Sequence, residues 1–277
     1  MKKGLPSNIY DREYFQKHFL GFERMLNMLM PYIKDIKNSN VLDLGCGSGD
    51  LAIFLAGRGN KVTGVDYSTD AIKLAKRKLS KYSKNIRNKV RFIRGDANRL
   101  NFKTNEFDAL ISIDVFEHLY KDELINVMGI IARVVKPGGS LLVHTEANPL
   151  YLDIAHPKYI YPLSERLIKI NKLFYGKDYP GLSKDPRNNL HKIQHVNEPT
   201  YFYLKKLFSN YCFKGKIFCR TLKKPVLGWK DVVYNSIVIL DPFSRIPPLK
   251  YIFAYDFICV MKNHKKHSLS KSGHSGK

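Results

Sequence analysis

Val41-Leu-Asp43-Leu-Gly45-Cys-Gly47-Ser-Gly49-Asp50 is the stretch on which the reading of this chain turns. A short apolar run leads into three glycines at alternate positions. Glycines that leave a buried strand and enter a helix let the backbone approach a ligand closely. Taken alone the turn is ambiguous, because Gly47-Ser-Gly49-Asp-Leu-Ala52 also fits the GxGxxA dinucleotide pattern. The charges separate the two readings. Asp43 precedes the turn and Asp50 follows it. Carboxylates there repel a pyrophosphate and favour a cationic ligand.

Outward from this turn, strands and helices alternate. Asn40–Leu44, Lys61–Asp66, Val90–Asp96, Phe107–Asp114 and Ser140–Thr145 read as strands, the last entered through the turn Pro137-Gly-Gly139. Asp50–Arg58, Thr69–Lys81 and Lys121–Val135 read as helices between them. Such alternation implies βαβ units and a parallel, doubly wound sheet, an α/β fold. Two further carboxylates fall at strand ends. Asp66 lies 17 residues past Gly49, where it can accept both hydroxyls of a ribose. Asp96, in Gly-Asp-Ala, is placed to meet an adenine amino group.

With VLDLGCGSGD, VTGVDYS, FIRGDANRL, FDALISIDVFEHL and VVKPGGSLLVH in this order over residues 40–146, the chain resembles the class I S-adenosylmethionine (SAM)-dependent methyltransferases. The resemblance implies a Rossmann-like seven-stranded sheet of order 3-2-1-4-5-7-6 with an antiparallel last strand. It also implies SAM lying over the carboxyl ends of the first two strands. The positions implied for cofactor contact are Asp43, Gly45, Cys46, Gly47, Gly49, Asp66, Tyr67, Asp96, Ala97 and Asp114. Tyr14, in Tyr10-Asp-Arg-Glu-Tyr14-Phe, resembles the aromatic residue of the family's lid helix. Ordinary helix packing is the alternative for it.

Three residues are candidates for the chemistry. Asp114-Val-Phe-Glu117-His118 follows the fourth strand. His118 suits a general base, since an unperturbed imidazole is partly neutral at physiological pH. The D-x-x-E-H spacing resembles the E-x-x-E-H of quinone-pathway O-methyltransferases, where these groups are associated with a divalent metal. Here the first residue is Asp114, one methylene shorter, and no metal is assigned. A structural corner is the alternative for Glu117 and His118. His195, in Gln194-His-Val-Asn-Glu198, falls where related methyltransferases carry an H-x-N-type segment near the acceptor, with helix capping by Asn197 as the alternative. His144, on the fifth strand, reads as a core or crevice-wall residue.

The remaining segments surround this core. Residues 1–36 read as a helical lid, with Ile9–Ile36 helical, and residues 37–146 as the SAM-binding core. Residues 147–200, rich in Pro, Tyr, Asn and Lys, read as a substrate cap with a helical pattern at Leu163–Phe174. Residues 201–261 hold a helix from Pro199 to Asn210 and strands at Lys214–Arg220 and Tyr251–Met261, around an apolar insertion at 221–250. Residues 262–277 read as a disordered basic tail.

The chain has 277 residues and a net charge of +23, apportioned as +2 over 1–36, +6 over 37–146, +10 over 147–261 and +5 over 262–277. No apolar stretch reaches the roughly 18 residues of a membrane span, and two lysines at the start lead into no apolar secretory region. The four cysteines form no CxxC pair, which argues against a zinc knuckle. A reduced cytoplasmic protein is expected, with peripheral membrane contact as an option. Lys73–Arg94 carries ten basic residues and no acid. A solvated face, nucleic acid and an anionic membrane are the readings for it. Nucleic acid is disfavoured, because Ile-Asp114-Val-Phe replaces the Asn/Asp-Pro-Pro-Tyr/Phe that grips flipped bases. The insertions are instead apolar and aromatic, and the only tryptophan, Trp229, lies between lysines, as suits a membrane interface. The expected activity is methyl transfer from SAM to a small or lipid-like acceptor, on oxygen. RNA methylation and a non-catalytic SAM-binding module are the alternatives.

Overall fold

The computed structural model describes residues 21–176, 181–222 and 229–265. Helix α1 (Phe22–Ile33) leads into strand β1 (Asn40–Leu44). Then come α2 (Asp50–Gly57), β2 (Lys61–Asp66), α3 (Thr69–Leu79), the short α4 (Lys84–Arg87) and β3 (Val90–Arg94). The second half of the core is β4 (Phe107–Ile113), α5 (Lys121–Val134) and β5 (Val135–Glu146). The seven strands follow the order β3-β2-β1-β4-β5-β7-β6. The first five run parallel, and β7 (Asp256–Asn263) is antiparallel to both β5 and β6 (Phe213–Arg220). The order and the antiparallel last strand are those the resemblance implied.

The central strands are apolar at consecutive positions because both faces of the sheet are covered. Alternate side chains go to opposite sides. Leu110 of β4 and Phe257, Cys259 and Met261 of β7 join one cluster, with Leu124 and Met128 of α5. Ile111 and Ile258, one residue along, join the other, with Leu29 and Ile33 of α1 and Leu55 of α2. Helix α8 (Tyr201–Asn210) adds Leu204, Leu207 and Phe208 to the first. Thr200 caps α8, its hydroxyl accepting from the Tyr203 amide at 3.2 Å.

The insertions form a third apolar cluster. A π-helical segment, Tyr151–Ile160, continues into α6 (Tyr161–Tyr175). It packs Tyr151, Leu152 and Ile160 against Val238 and Ile239 from the second insertion and Phe253 just past it. That insertion contains α9 (Trp229–Ile237) and leads into the short α10 (Leu249–Phe253). Buried Asn148 ties the two together, donating from Nδ2 to the carbonyls of Tyr251 and Ala254, each at 2.8 Å.

Four expectations change. Strand β5 begins at Val135, so Lys136–Gly139 lies within the strand rather than in a turn before it, with a register shift opposite Phe107–Ala109. Tyr251–Phe253 is helical, and β7 starts only at Asp256. A short apolar run fits either conformation, and here Asn148 takes its carbonyls. Lys262 and Asn263 belong to β7 rather than to a tail. The cap is more helical than its composition suggested. Of the expected Ile9–Ile36 helix, residues 9–20 lie outside the described residues, as do residues 266–277 of the expected tail. No helix among the described residues is long and apolar enough to cross a membrane.

Candidate functional site

A cleft of about 640 Å³ opens at the carboxyl ends of β1, β2 and β4, the place where open α/β sheets bind ligands. At one end the turn after β1 is held from below. The Gly45 and Cys46 amides donate to the Val65 carbonyl at 2.8 and 3.0 Å, and the Gly47 amide donates to Asp66 Oδ2 at 2.9 Å. Gly49 begins α2 at φ +79°, and a Cβ there would lie 2.5 Å from the Phe92 ring. Only glycine meets both conditions. The other oxygen of Asp66 accepts from the Ser68 amide at 2.8 Å, so this carboxylate joins the glycine turn to the start of α3.

Asp43, Gly45, Cys46, Gly47, Asp66, Tyr67, Asp96, Ala97 and Asp114 all line the cleft, and Gly49 supports it from the turn. Tyr14 lies outside the described residues. Asp43 is buried, and its Oδ2 has no hydrogen-bond partner. Burial, reinforced by the neighbouring charge of Asp66, pushes its pKa up to about 7. Burial likewise raises Asp66, and raises the Cys46 thiol well above its usual range, which leaves Cys46 a packing residue rather than a nucleophile. Asp96 is exposed at the rim, its Oδ1 accepting from the Asn98 amide at 2.9 Å.

Among the described residues the lining carries seven carboxylates and no lysine or arginine: Asp43, Asp66, Asp96, Asp114, Glu117, Glu123 and Glu146. This acidic cleft sits in a chain of net charge +23. It repels phosphates and attracts a cation. The ammonium and sulfonium of SAM match it, and the partnerless oxygen of Asp43 is the position where a buried cationic donor would restore the ionised carboxylate. The residues present therefore fit this cofactor.

The opposite end of the cleft is made of histidines. Glu117 is fully buried. Its Oε2 accepts from Thr145 Oγ1 at 2.8 Å and its Oε1 from the Glu146 amide at 3.4 Å. Burial, and then the charge of Asp114, raises its pKa well above the carboxylate range. A short helix, α7 (Asn189–Gln194), docks its end on this corner. His118 Nδ1 meets the Gln194 carbonyl at 3.0 Å, and the Asn197 amide donates to the Glu117 carbonyl at 3.1 Å. The carbonyl fixes the proton on Nδ1 and leaves the lone pair on Nε2. Burial lowers the His118 pKa, which keeps the ring neutral. His195 stands edge-on to His118 at 5.0 Å and stacks on His191 at 3.8 Å. Burial and the two neighbouring rings press its pKa down to about 3.

His191 and Glu198 escaped the sequence analysis. His191 Nε2 bonds Glu198 Oε1 at 3.1 Å, and Arg187 grips Glu198 with bonds of 3.0 and 2.7 Å. These bonds outweigh burial and hold Glu198 at about 2. The i, i+4 spacing of His191 and His195 on one helical face was the available signal. One expectation is corrected here. Asn197 does not cap a helix; its Nδ2 reaches the Phe116 carbonyl at 3.4 Å. His144 is buried in the core, as expected, and is also charged. Its Nδ1 bonds Asp114 and its Nε2 lies 3.6 Å from Asp256. Burial opposes its charge, but the two carboxylates prevail and raise its pKa well above the usual range.

Glu117, His118 and His195 each bring a ligand atom within 4.8 Å of the others, as do His191, His195 and Glu198. The oxygens of Glu117 are already engaged by Thr145 and Glu146, and its raised pKa weakens it as a ligand.

Comparison with known proteins agrees with this geometry. Residues 41–139 match the methyltransferase domain family. The chain is 35% identical over 119 residues to a fatty-acid O-methyltransferase of Mycolicibacterium smegmatis, across 42% of this chain and 40% of that one. It is 36% identical over 141 residues to a demethylmenaquinone methyltransferase of Leptospira interrogans, across 48% and 54%. It thus spans about half the length of these curated relatives. A demethylmenaquinone methyltransferase of Bacillus licheniformis is matched more fully, at 32% identity over 64% of this chain and 75% of that one. Among solved structures, a SAM-dependent methyltransferase from Methanosarcina mazei shares the fold with a TM-score of 0.52 at 18% identity, over 86% and 98% of the two chains. With the motifs, the strand order and the acidic cleft, these matches place the chain in the class I SAM-dependent methyltransferase family.

Proposed function

We propose that this chain transfers the methyl group of SAM to a hydroxyl oxygen of a small, lipid-like acceptor, at a site reached from a membrane surface. The observation that carries the reading is the cleft lining, which among the described residues holds seven carboxylates and no lysine or arginine. Asp43 and Asp114 would hold the cationic end of SAM, Asp66 its ribose, and Tyr67, Asp96 and Ala97 its base, over the backbone of Gly45, Cys46, Gly47 and Gly49. SAM supplies an electrophilic methyl on a sulfonium that leaves as a neutral thioether.

The protein's part is to orient the acceptor and to take its proton. Orientation can supply up to roughly 7–11 kcal/mol. His118, neutral and with its lone pair on Nε2, accepts the hydroxyl proton as the oxygen–carbon bond forms. Glu117 positions His118 by fixing the corner that carries it, and His195 packs against the ring. The same carboxylates repel an anionic acceptor, so an alcohol or phenol suits the cleft better than a free carboxylate. The names of the fatty-acid and demethylmenaquinone relatives support a lipid-like substrate. No metal is needed for this chemistry.

The test is to supply methyl-labelled SAM and a fractionated extract to the purified protein. Label in the organic phase, in a product stable to mild base, is expected. Label in base-labile esters would move the acceptor to a carboxylate. Label in nuclease-sensitive material would overturn the reading in favour of RNA.

A further inference from the structure

We propose that the outer edge of the cap, formed by α6 and α9, docks the protein on an anionic lipid bilayer; the proposal rests on the lipid-like acceptor read above. The three most exposed large apolar side chains among the described residues are Leu173 at 80%, Phe174 at 73% and Trp229 at 66%. Leu173 and Phe174 lie in the last turn of α6 and Trp229 begins α9, and both helices belong to the cap. Tyr159, just before α6, donates its hydroxyl to the Ile237 carbonyl at 3.1 Å, at the end of α9. Farther along α6, Ser164 shares a hydrogen bond with Tyr234. These two bonds tie the start of α6 to the second half of α9.

Each helix is apolar on two sides. Inwardly, Leu163 and Leu167 of α6 and Tyr234 of α9 pack into the third cluster. Outwardly, Ile170, Leu173 and Phe174 of α6 and Val232, Val233 and Ile237 of α9 are exposed, as is Trp229. Exposed apolar surface of this kind marks an interaction site. Its chemistry selects the occupant. Arg166 and Lys169 are exposed on the same face of α6 as Ile170 and Leu173, at the i, i+3, i+4, i+7 spacing of one helical stripe. Residues 147–261 carry a net +10. Apolar residues and tryptophan rimmed by cations suit the headgroup region of an anionic bilayer. The same charge repels a second copy of the chain. Tyr255 lines the cleft and packs on Tyr151 of the third cluster at 5.3 Å, so the docking edge and the site share one apolar body.

Trp229 is the only tryptophan and reports on its own environment. Full-length protein is titrated with vesicles of phosphatidylcholine, with and without phosphatidylglycerol, in the absence of SAM and acceptor. Anionic vesicles are expected to shift Trp229 emission to the blue, and brominated lipid to quench it. The variant Leu173→Asp/Phe174→Asp should lose roughly tenfold or more in partition, while binding SAM as wild type does. Unchanged emission with anionic vesicles, or equal partition by the variant, would overturn the proposal. So would a blue shift that grows with protein concentration alone, since that makes the edge a self-association surface. Methyl transfer to detergent-dispersed acceptor is scored separately, so loss of docking and loss of the methylation reading are told apart.

Discussion

The acidic end of the cleft and its histidine end are built differently. At the acidic end, Asp43, the glycine turn and Asp66 come from two neighbouring strands and one loop, joined by backbone hydrogen bonds within 24 residues of sequence. At the histidine end, His118 is joined to Gln194 across 76 residues, and Arg187, His191, His195 and Glu198 all come from the cap insertion. The first end is a property of the sheet. The second exists only because an insertion folds back onto the corner after β4. Under the proposed function, cofactor binding and acceptor chemistry should therefore be separable by mutation, although they share one cleft.

The largest expected effect falls on the histidine end. His118→Ala should lower kcat by about 10²–10⁴-fold, as loss of a general base does, and leave SAM affinity near wild type. A kcat unchanged in steady-state assays would break the division at its strongest point. Addition of a chelator should leave the rate of the wild-type enzyme unchanged, whereas a metal bound by Glu117, His118 and His195 would make the enzyme sensitive.

A smaller effect sharpens the acidic end. Asp43 has its pKa raised to about 7, so the folded protein without ligand binds a proton there that the unfolded chain releases near pH 4. This contribution to stability is present below about pH 4 and is lost as pH rises through about 7. A cationic ligand requires the ionised form, so SAM affinity should move the opposite way. It should fall by about tenfold between about pH 8 and about pH 6, with proton release on binding near pH 7. Calorimetry in buffers of different ionisation enthalpy checks both signs. Glu146, raised by burial and Asp114 to about 7 as well, adds to the same window.

The smallest effect concerns the support of the histidine end. Arg187→Met removes the clamp on Glu198 and loosens His191 and, through stacking, His195. We expect a loss in kcat of about tenfold or less, with SAM affinity unchanged. Equal losses in both quantities would show that the two ends are not independent.

This difference also explains what the sequence made legible. The bounds of β1 and β2, and the carboxylates at their ends, follow from local patterns, because a buried parallel strand and a glycine turn each carry a short signal. The helical content of 147–200 was under-read, since Pro157 and the scattered tyrosines obscure the period. The start of β7 was placed too early because Tyr251–Phe253 is apolar in either conformation. The partners of His118 and His144 were out of reach for a different reason. A carbonyl from Gln194 and a carboxylate from Asp256 are long-range contacts with no local pattern.

The most direct test of the two-ended cleft is calorimetric titration of SAM into wild type, Asp43→Asn and His118→Ala at about pH 8. The account predicts that Asp43→Asn loses roughly ten- to hundredfold in affinity, the size of a lost hydrogen bond to a charged group, while His118→Ala binds as wild type does. Wild-type affinity in Asp43→Asn, or an equal loss in His118→Ala, would contradict it.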